Sequence, residues 1–548
     1  MPLETSKTGN WPYVVAILLL SAFYYGLYFG SGFSAADDGN YAQIAYELYL
    51  GRAPDDLTIT YGILWFKVGE ALFHAFGVNY ALVKAFFFAV ITITSILIFY
   101  TIHLFSGSRL FALAMTAAPL LVPAFPATGF YGLCIMMNAA AQMRLASKIT
   151  RATWIDTAIA GAALSLSFQI RPDFGYIWTL PLAVLLLLAA LKTSPTQKAW
   201  PLFGSAVLAF LVVQAPMMLS ALNDGYVAMI LQQYISYPTT MIDYALSGLR
   251  ALLTGDLAQP DSAGGASLKR PGLAAIMSGD ANTSALAVLI YLPLVAISGF
   301  VFYNALQAGK LWRDGRFETI GQTLVALFAA AAAFPHYFFY RPDLSHVANF
   351  IPGYTVLAAA IVYQLYNQAR VKTAPLRQWV VSIGLLAAVL HLAFYVWFGL
   401  QTPGTGSIAG NANREEMFRA GNGIDVRVSA AEKSQLEVVR NLILENTGPG
   451  DRIVCVPYCP GFAFMSERQM LFKNFYVDDS TPILEPNWIS EAIKLTQDAQ
   501  PAVVIVQDWA INGTEISRFN NWAADYITAL KKLSVEIINH PGLTIYLL

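Results

Sequence analysis

Apolar runs about twenty residues long, broken by charge, Gly or Pro, recur along most of the chain. A bilayer core of roughly 30 Å needs a run of that length for each helix that crosses it. Such runs stand near 11–30, 80–105, 110–125, 129–147, 154–170, 174–191, 201–221, 284–306, 320–340, 347–366 and 379–399. Pro119, Pro123 and Pro126 interrupt the third and its exit. After residue 402 the pattern changes. Leu436, Val439, Ile443 and Leu444 fall at helical spacing within 430–446, and DRIVCVP (451–457) and PAVVIVQD (501–508) are short β-rich runs. Helical stretches near 487–498 and 515–532 alternate with them, and apolar runs follow at 534–538 and 543–548. The expectation is a polytopic α-helical membrane module over 1–402, with about eleven transmembrane helices, and then a small soluble α/β domain over 403–548 with a partly parallel sheet.

Composition agrees with that division. The chain is 56% hydrophobic and 12% charged, where soluble domains run near a quarter charged. Of its 67 charged residues, 29 fall in 403–548. A net charge of −1 gives no basic field for nucleic acid. Lys and Arg concentrate in short alternate connections, such as Arg144, Lys148 and Arg151, or Lys310, Arg313 and Arg316. The positive-inside rule then places the N-terminus in the cytoplasm. The loops at 31–79 and 222–283 and the C-terminal domain fall outside, as a periplasmic unit of a bacterial inner membrane. That side lacks nucleotide sugars and ATP, so a group-transfer donor has to arrive on a lipid.

Few residues on this outer side invite chemistry. Asp37 and Asp38 are adjacent, just past the first span, and precede a helical stretch from Tyr41 to Leu50. A helix cap needs only one such group, and a second carboxylate at the membrane edge adds desolvation and repulsion without structural need. Residues 62–76 read as an amphipathic interfacial helix with Lys67, Glu70 and His74 on its polar stripe. A tripeptide repeats at the outer ends of spans: Arg171-Pro172-Asp173, and Arg341-Pro342-Asp343 followed by His346. Pro beside Asp is an ordinary helix start, but neither Arg is needed for one, and guanidinium suits bidentate phosphate binding. Cys455 and Cys459 either form a disulfide or stay as two buried thiols.

The stretch ADDGNYAQIA at 36–45 resembles the D-E-x-x-Y-A-x-I-A motif of GT-C superfamily membrane glycosyltransferases, notably lipid A aminoarabinose transferases and protein O-mannosyltransferases. The first acidic residue of that motif is the family's base, so the resemblance implies that role for Asp37; Asp38 stands where the family usually has Glu. Where the lipid A branch has E-K-P-P, this chain has Asp55, Asp56 and then ITYGILW. The resemblance implies a GT-C-like fold and an inverting transfer of sugar from a polyprenyl-phosphate donor to a hydroxyl of a lipid, glycan or protein. Arg171 or Arg341, with His346, would bind phosphate. Asp38, Asp56 and Asp343 would orient sugar and acceptor or hold a divalent ion, and Asp173 is a further substrate-binding candidate. Either Arg could supply the positive charge for the leaving phosphate without a metal, and a divalent cation, Mg or Mn, stays open. The competing class is a membrane transporter or lipid-linked sugar flippase, which predicts internal repeats and mid-span charges.

Overall fold

The computed structural model describes residues 9–59, 61–121, 128–192, 199–235, 276–277, 281–334, 337–338, 344–370, isolated positions between 375 and 397, 411–511 and 515–548. In the N-terminal part these form α1 (Trp11–Gly26), α2 (Asp37–Tyr49), α3 (Ile63–Phe76), α4 (Tyr80–Ser106), α5 (Arg109–Leu121), α6 (Phe130–Ala146), α7 (Trp154–Ile170), α8 (Pro172–Lys192), α9 (Ala199–Asp224), α10 (Ala281–Arg313), α11 (Phe317–Ala331) and α12 (Leu344–Arg370). Ten of the expected spans therefore coincide with helices; the run near 379–399 lies largely outside the described residues. Among the described residues four helices are long and apolar enough to cross a membrane: α4, α8, most of α9 and most of α10. The count of about eleven stays an expectation.

Local chemistry sets the helix boundaries. Asn79 accepts from the Ala81 amide at 2.8 Å to start α4, and Gly107 ends it at φ 69°. Thr153 and Asp156 close a capping box at the start of α7. Pro172 opens α8 as the tripeptide predicts. α6 is buried along most of its length and packs against α4, α7, α11 and α12, so it forms the axis of the bundle. Its C-terminal end meets the cation-bearing connections. Arg144 pairs with Asp156 at 2.7 Å, Thr150 Oγ1 donates to Glu318 at 2.5 Å, and Arg109 donates to Asn10 at 2.9 Å. The acidic loop and the C-terminal unit lie at the opposite end.

The C-terminal unit comprises β1 (Glu416–Ala420), β2 (Ile424–Val428), α13 (Ala430–Asn446), β3 (Arg452–Val456), α14 (Gly461–Met465), β4 (Gln469–Met470), α15 (Trp488–Ala499), β5 (Val503–Gln507), α16 (Ala524–Leu533), β6 (Glu536–His540) and β7 (Leu543–Leu547). Its five-stranded sheet has the order β4-β3-β5-β7-β6, with β4, β3 and β5 parallel and β7 and β6 antiparallel. The expected strands at 451–457 and 501–508 are its central pair. The last two strands form a hairpin, and the first of them begins two residues later than the apolar run at 534–538. Separately, β1 and β2 form a hairpin that the apolar pattern did not reveal.

The unit is docked on α2. The buried Glu47 accepts from the Met470 amide at 2.6 Å and from Gln43 Nε2 at 2.8 Å, and pairs with Arg52 at 3.4 Å. Arg52 donates to the carbonyls of Met470 (2.7 Å) and Phe472 (3.4 Å), and Gln43 Nε2 donates to the Arg468 carbonyl at 3.0 Å. Side chains of α2 thus satisfy backbone groups on and around the short edge strand β4, which answers the exposed-edge problem of an open sheet.

Candidate functional site

α2 starts at Asp37, and Ala36 caps it without any side-chain hydrogen bond. Neither carboxylate serves as a cap; both sit in the first turn, where the helix dipole favours negative charge. Their surroundings differ. Asp37 is partly exposed, whereas Asp38 is 5% exposed, so solvent reaches the first carboxylate and the second is enclosed. Tyr458 donates its hydroxyl to Asp37 Oδ1 at 3.2 Å, and Tyr80 donates to Asp38 Oδ2 at 3.4 Å. Burial first, then the Asp37 charge, push the Tyr458 hydroxyl well above the usual phenol range, which keeps it a proton donor.

Lys84, buried in the first turns of α4, donates to the Ser31 carbonyl at 2.6 Å. The charges of Asp38 and Arg414 both act on it. Arg414 comes from the C-terminal part, where Glu432 holds it at 3.0 Å and Asn411 at 2.7 Å.

Arg171 and Asp173 flank Pro172 between α7 and α8. Arg171 Nε lies 2.9 and 3.0 Å from the two Asp173 oxygens, and both residues are buried. The guanidinium carbon sits 4.1 Å from the Tyr131 ring centre, 5.5 Å from those of Tyr61 and Phe174, and 6.0 Å from that of Phe130. This is a carboxylate-neutralised cation in an aromatic cage, so a phosphate at Arg171 would have to compete with Asp173. Tyr61 also contributes to the raised Tyr458 hydroxyl, behind burial and the Asp37 charge. Gln233 holds this loop by donating to the Ile59 carbonyl at 2.9 Å and the Tyr61 carbonyl at 3.2 Å.

The remaining candidates are dispersed. Asp56 lines an open cleft of about 380 Å³ with Arg52, Arg452, Lys473 and Glu485, and that cleft includes neither Asp37 nor Asp38. Arg341 and Asp343 lie outside the described residues, as does the side chain of His346. The large outer loop at 222–283 is described only over 222–235, at 276–277 and over 281–283. Lys67 and Glu70 pair on α3 at 2.9 Å and are half-buried, with Lys67 over the Tyr226 ring, so this part of the expected stripe is not solvated; His74 is exposed and packs against Tyr49. Among the described residues no group of three His, Cys, Asp or Glu side chains converges to hold a metal; Asp343, the third carboxylate of the expected cation set, lies outside them.

Sequence reasoning missed Tyr458, Tyr80, Lys84 and Arg414. Tyr458 belongs to the C-terminal unit and reaches the carboxylate pair. It lies within the Cys455–Cys459 segment, whose cysteines are joined by a disulfide. This resolves the alternative left open between disulfide and thiols. Cys134 is free and buried.

No family model and no curated protein matches the sequence. Among solved structures the chain is similar to ArnT from Cupriavidus metallidurans bound to undecaprenyl phosphate, with TM-score 0.49 and 13% identity over 98% of this chain and 97% of that one. It is also similar to the oligosaccharyltransferase of Archaeoglobus fulgidus in complex with Zn and sulfate, with TM-score 0.44 and 12% identity over 90% of this chain and 68% of that one.

Proposed function

We propose that this chain is an integral membrane glycosyltransferase that moves a sugar from a polyprenyl-phosphate donor to an acceptor hydroxyl at the membrane face carrying the C-terminal unit. One observation carries the reading: of two adjacent carboxylates opening an outer helix, only Asp37 is accessible, and it is oriented by a tyrosine rather than spent on a cap. The match of 36–45 to the GT-C motif agrees with it. The disulfide supports an oxidising compartment for that face, in accord with a periplasmic unit and an N-terminus in the cytoplasm.

In the mechanism, Asp37 accepts the acceptor hydroxyl proton as that oxygen attacks the anomeric carbon. The bond from the anomeric carbon to the phosphate oxygen breaks on the opposite side, and its electron pair leaves with the polyprenyl phosphate, so the configuration inverts. Buried Asp38, balanced by Lys84 and Arg414, sets the potential around Asp37. The departing phosphate needs positive charge where negative charge develops. Arg341 is assigned that role with His346, and Arg171, tied to Asp173, shapes the floor of the site. Asp343 and Asp56 remain candidates for orienting sugar and acceptor. Purified protein incubated with labelled polyprenyl-phosphate sugars and an acceptor panel tests the reading. Asp37→Asn should abolish transfer while donor binding persists; undiminished transfer would remove Asp37 as base.

A further inference from the structure

We propose that the Cys455–Cys459 disulfide is the strut that keeps Tyr458 on Asp37, making Tyr458 the positioning residue for the base and tying activity to the oxidised state of this pair. The inference rests on the reading of Asp37 given above. The bond closes a loop of five residues at the end of β3, with Cα atoms 5.5 Å apart, and Tyr458 is the residue before the closing cysteine. So short a loop restrains the unfolded chain little, and both cysteines already lie in a packed core, 1% and 0% exposed. What the bond adds is local: it fixes where the Tyr458 hydroxyl points.

The rest of the loop is clamped from both sides. Gly461 N donates to the Ala35 carbonyl at 2.8 Å, two residues before Asp37. A Cβ on Gly39 would stand 2.6 Å from Gly461 Cα, so the two backbones touch. Tyr476 packs edge-on to the Tyr458 ring at 5.0 Å and is itself anchored by its hydroxyl on Asp478 at 2.9 Å. A dithiol reductant would break the S–S bond, deliver two electrons and two protons to give two thiols, and leave as its own disulfide. The segment carrying Tyr458 would then lose its one covalent restraint.

A hydroxyl donated to a carboxylate favours the ionised form, so its loss makes Asp37 hold a proton to higher pH. In full-length protein, Tyr458→Phe should lower kcat about tenfold at neutral pH. The acid limb of its kcat–pH profile should move to higher pH, with donor KM and melting temperature kept. The Cys455→Ala/Cys459→Ala pair should reproduce that displacement, and adding Tyr458→Phe to it should cost nothing further. Should the pair not fold, Cys455→Val/Cys459→Ala, which refills part of the volume the sulfurs leave, takes its place. An unmoved pH profile in Tyr458→Phe, or losses that add rather than merge, overturns the proposal. Inactive Asp37→Asn beside unaltered Tyr458→Phe sinks only this inference, whereas active Asp37→Asn sinks the assignment of the base.

Discussion

Glu47→Ala should loosen the C-terminal unit from α2. Glu47 Oε1 accepts two hydrogen bonds, from the Met470 amide at 2.6 Å and Gln43 at 2.8 Å, while Oε2 faces Arg52 at 3.4 Å. Truncation orphans a buried amide and leaves Arg52 without its countercharge, and breaking such a buried pair costs about 3–5 kcal/mol. That corresponds to roughly a hundredfold or more in the population with α2 and β4 apart. Glu47→Gln separates the two contributions. Its amide oxygen can keep both Oε1 bonds while its NH2 meets Arg52, so a loss of about 1–2 kcal/mol is expected. The two proteins should also differ with pH. Burial raises the Glu47 carboxyl above 4.5, against the hydrogen bonds and Arg52 that lower it. The folded state therefore holds the proton more tightly than the unfolded one, and this group's stability contribution declines as pH rises above 4.5; the Gln variant lacks that slope. Hydrogen exchange of the Met470 amide in detergent reads the dock directly. Wild-type protection of Met470 in Glu47→Ala, with an unchanged melting temperature, would refute the docking role.

Two further outcomes follow from close contacts. Gly39→Ala puts a Cβ 2.6 Å from both Gly461 Cα and the Ser34 carbonyl; these are backbone atoms that cannot swing aside, so thermal unfolding should report a loss of about 1–3 kcal/mol, and an unchanged melting temperature would contradict the packing. Asp173→Asn leaves the Arg171 charge buried among aromatic rings and should cost about 3 kcal/mol or more, whereas Arg171→Met with Asp173→Leu should cost distinctly less. Chemical denaturation of the two variants decides between these outcomes, and equal losses would argue against a pair whose charges balance each other.

Legibility differed by element for physical reasons. Long apolar runs bounded by Asn79, Gly107 or Pro172 carry their limits in sequence, and α4 and α8 match them closely. β3 and β5 are continuous buried runs and were equally plain. The hairpin of β1 and β2 was not, since each strand has only five residues and alternates too briefly to stand out. The signal that would have found it is Asn422-Gly423, at φ 53° and 66°, the residue pair that a tight hairpin turn demands. β4 has two residues and no period to read; its place is set by Glu47 and Arg52. The Asp37–Tyr458 bond spans 421 positions, and no local pattern encodes a contact of that range. Adjacency of charges at a membrane edge could single out Asp37, but only the fold could pair it.

The charge balance of the site explains why its parts come from both ends of the chain. Two adjacent carboxylates at a helix start repel each other, and in a partly buried setting one of them tends to take up a proton. The helix dipole offsets part of that cost within the first turn. Lys84 offsets more, yet it is buried and already bound to the Ser31 carbonyl. Arg414 adds positive charge within reach of Tyr80 and Lys84, and it is placed by Glu432, whose own carboxylate closes the capping box of α13. The sequence from Asn411 to Glu432 therefore does electrostatic work on a helix more than 360 positions earlier. With the C-terminal unit undocked, Asp37 would lose its tyrosine, and Tyr80 and Lys84, the neighbours of Asp38, would lose the Arg414 charge. A chain cut before the C-terminal unit should then keep the membrane helices but present a carboxylate pair sharing a proton. Transfer would fall at neutral pH and recover in part as pH rises, and co-expressing the severed unit should restore it. Full activity of the truncated chain at neutral pH would show that the pair needs neither Tyr458 nor Arg414.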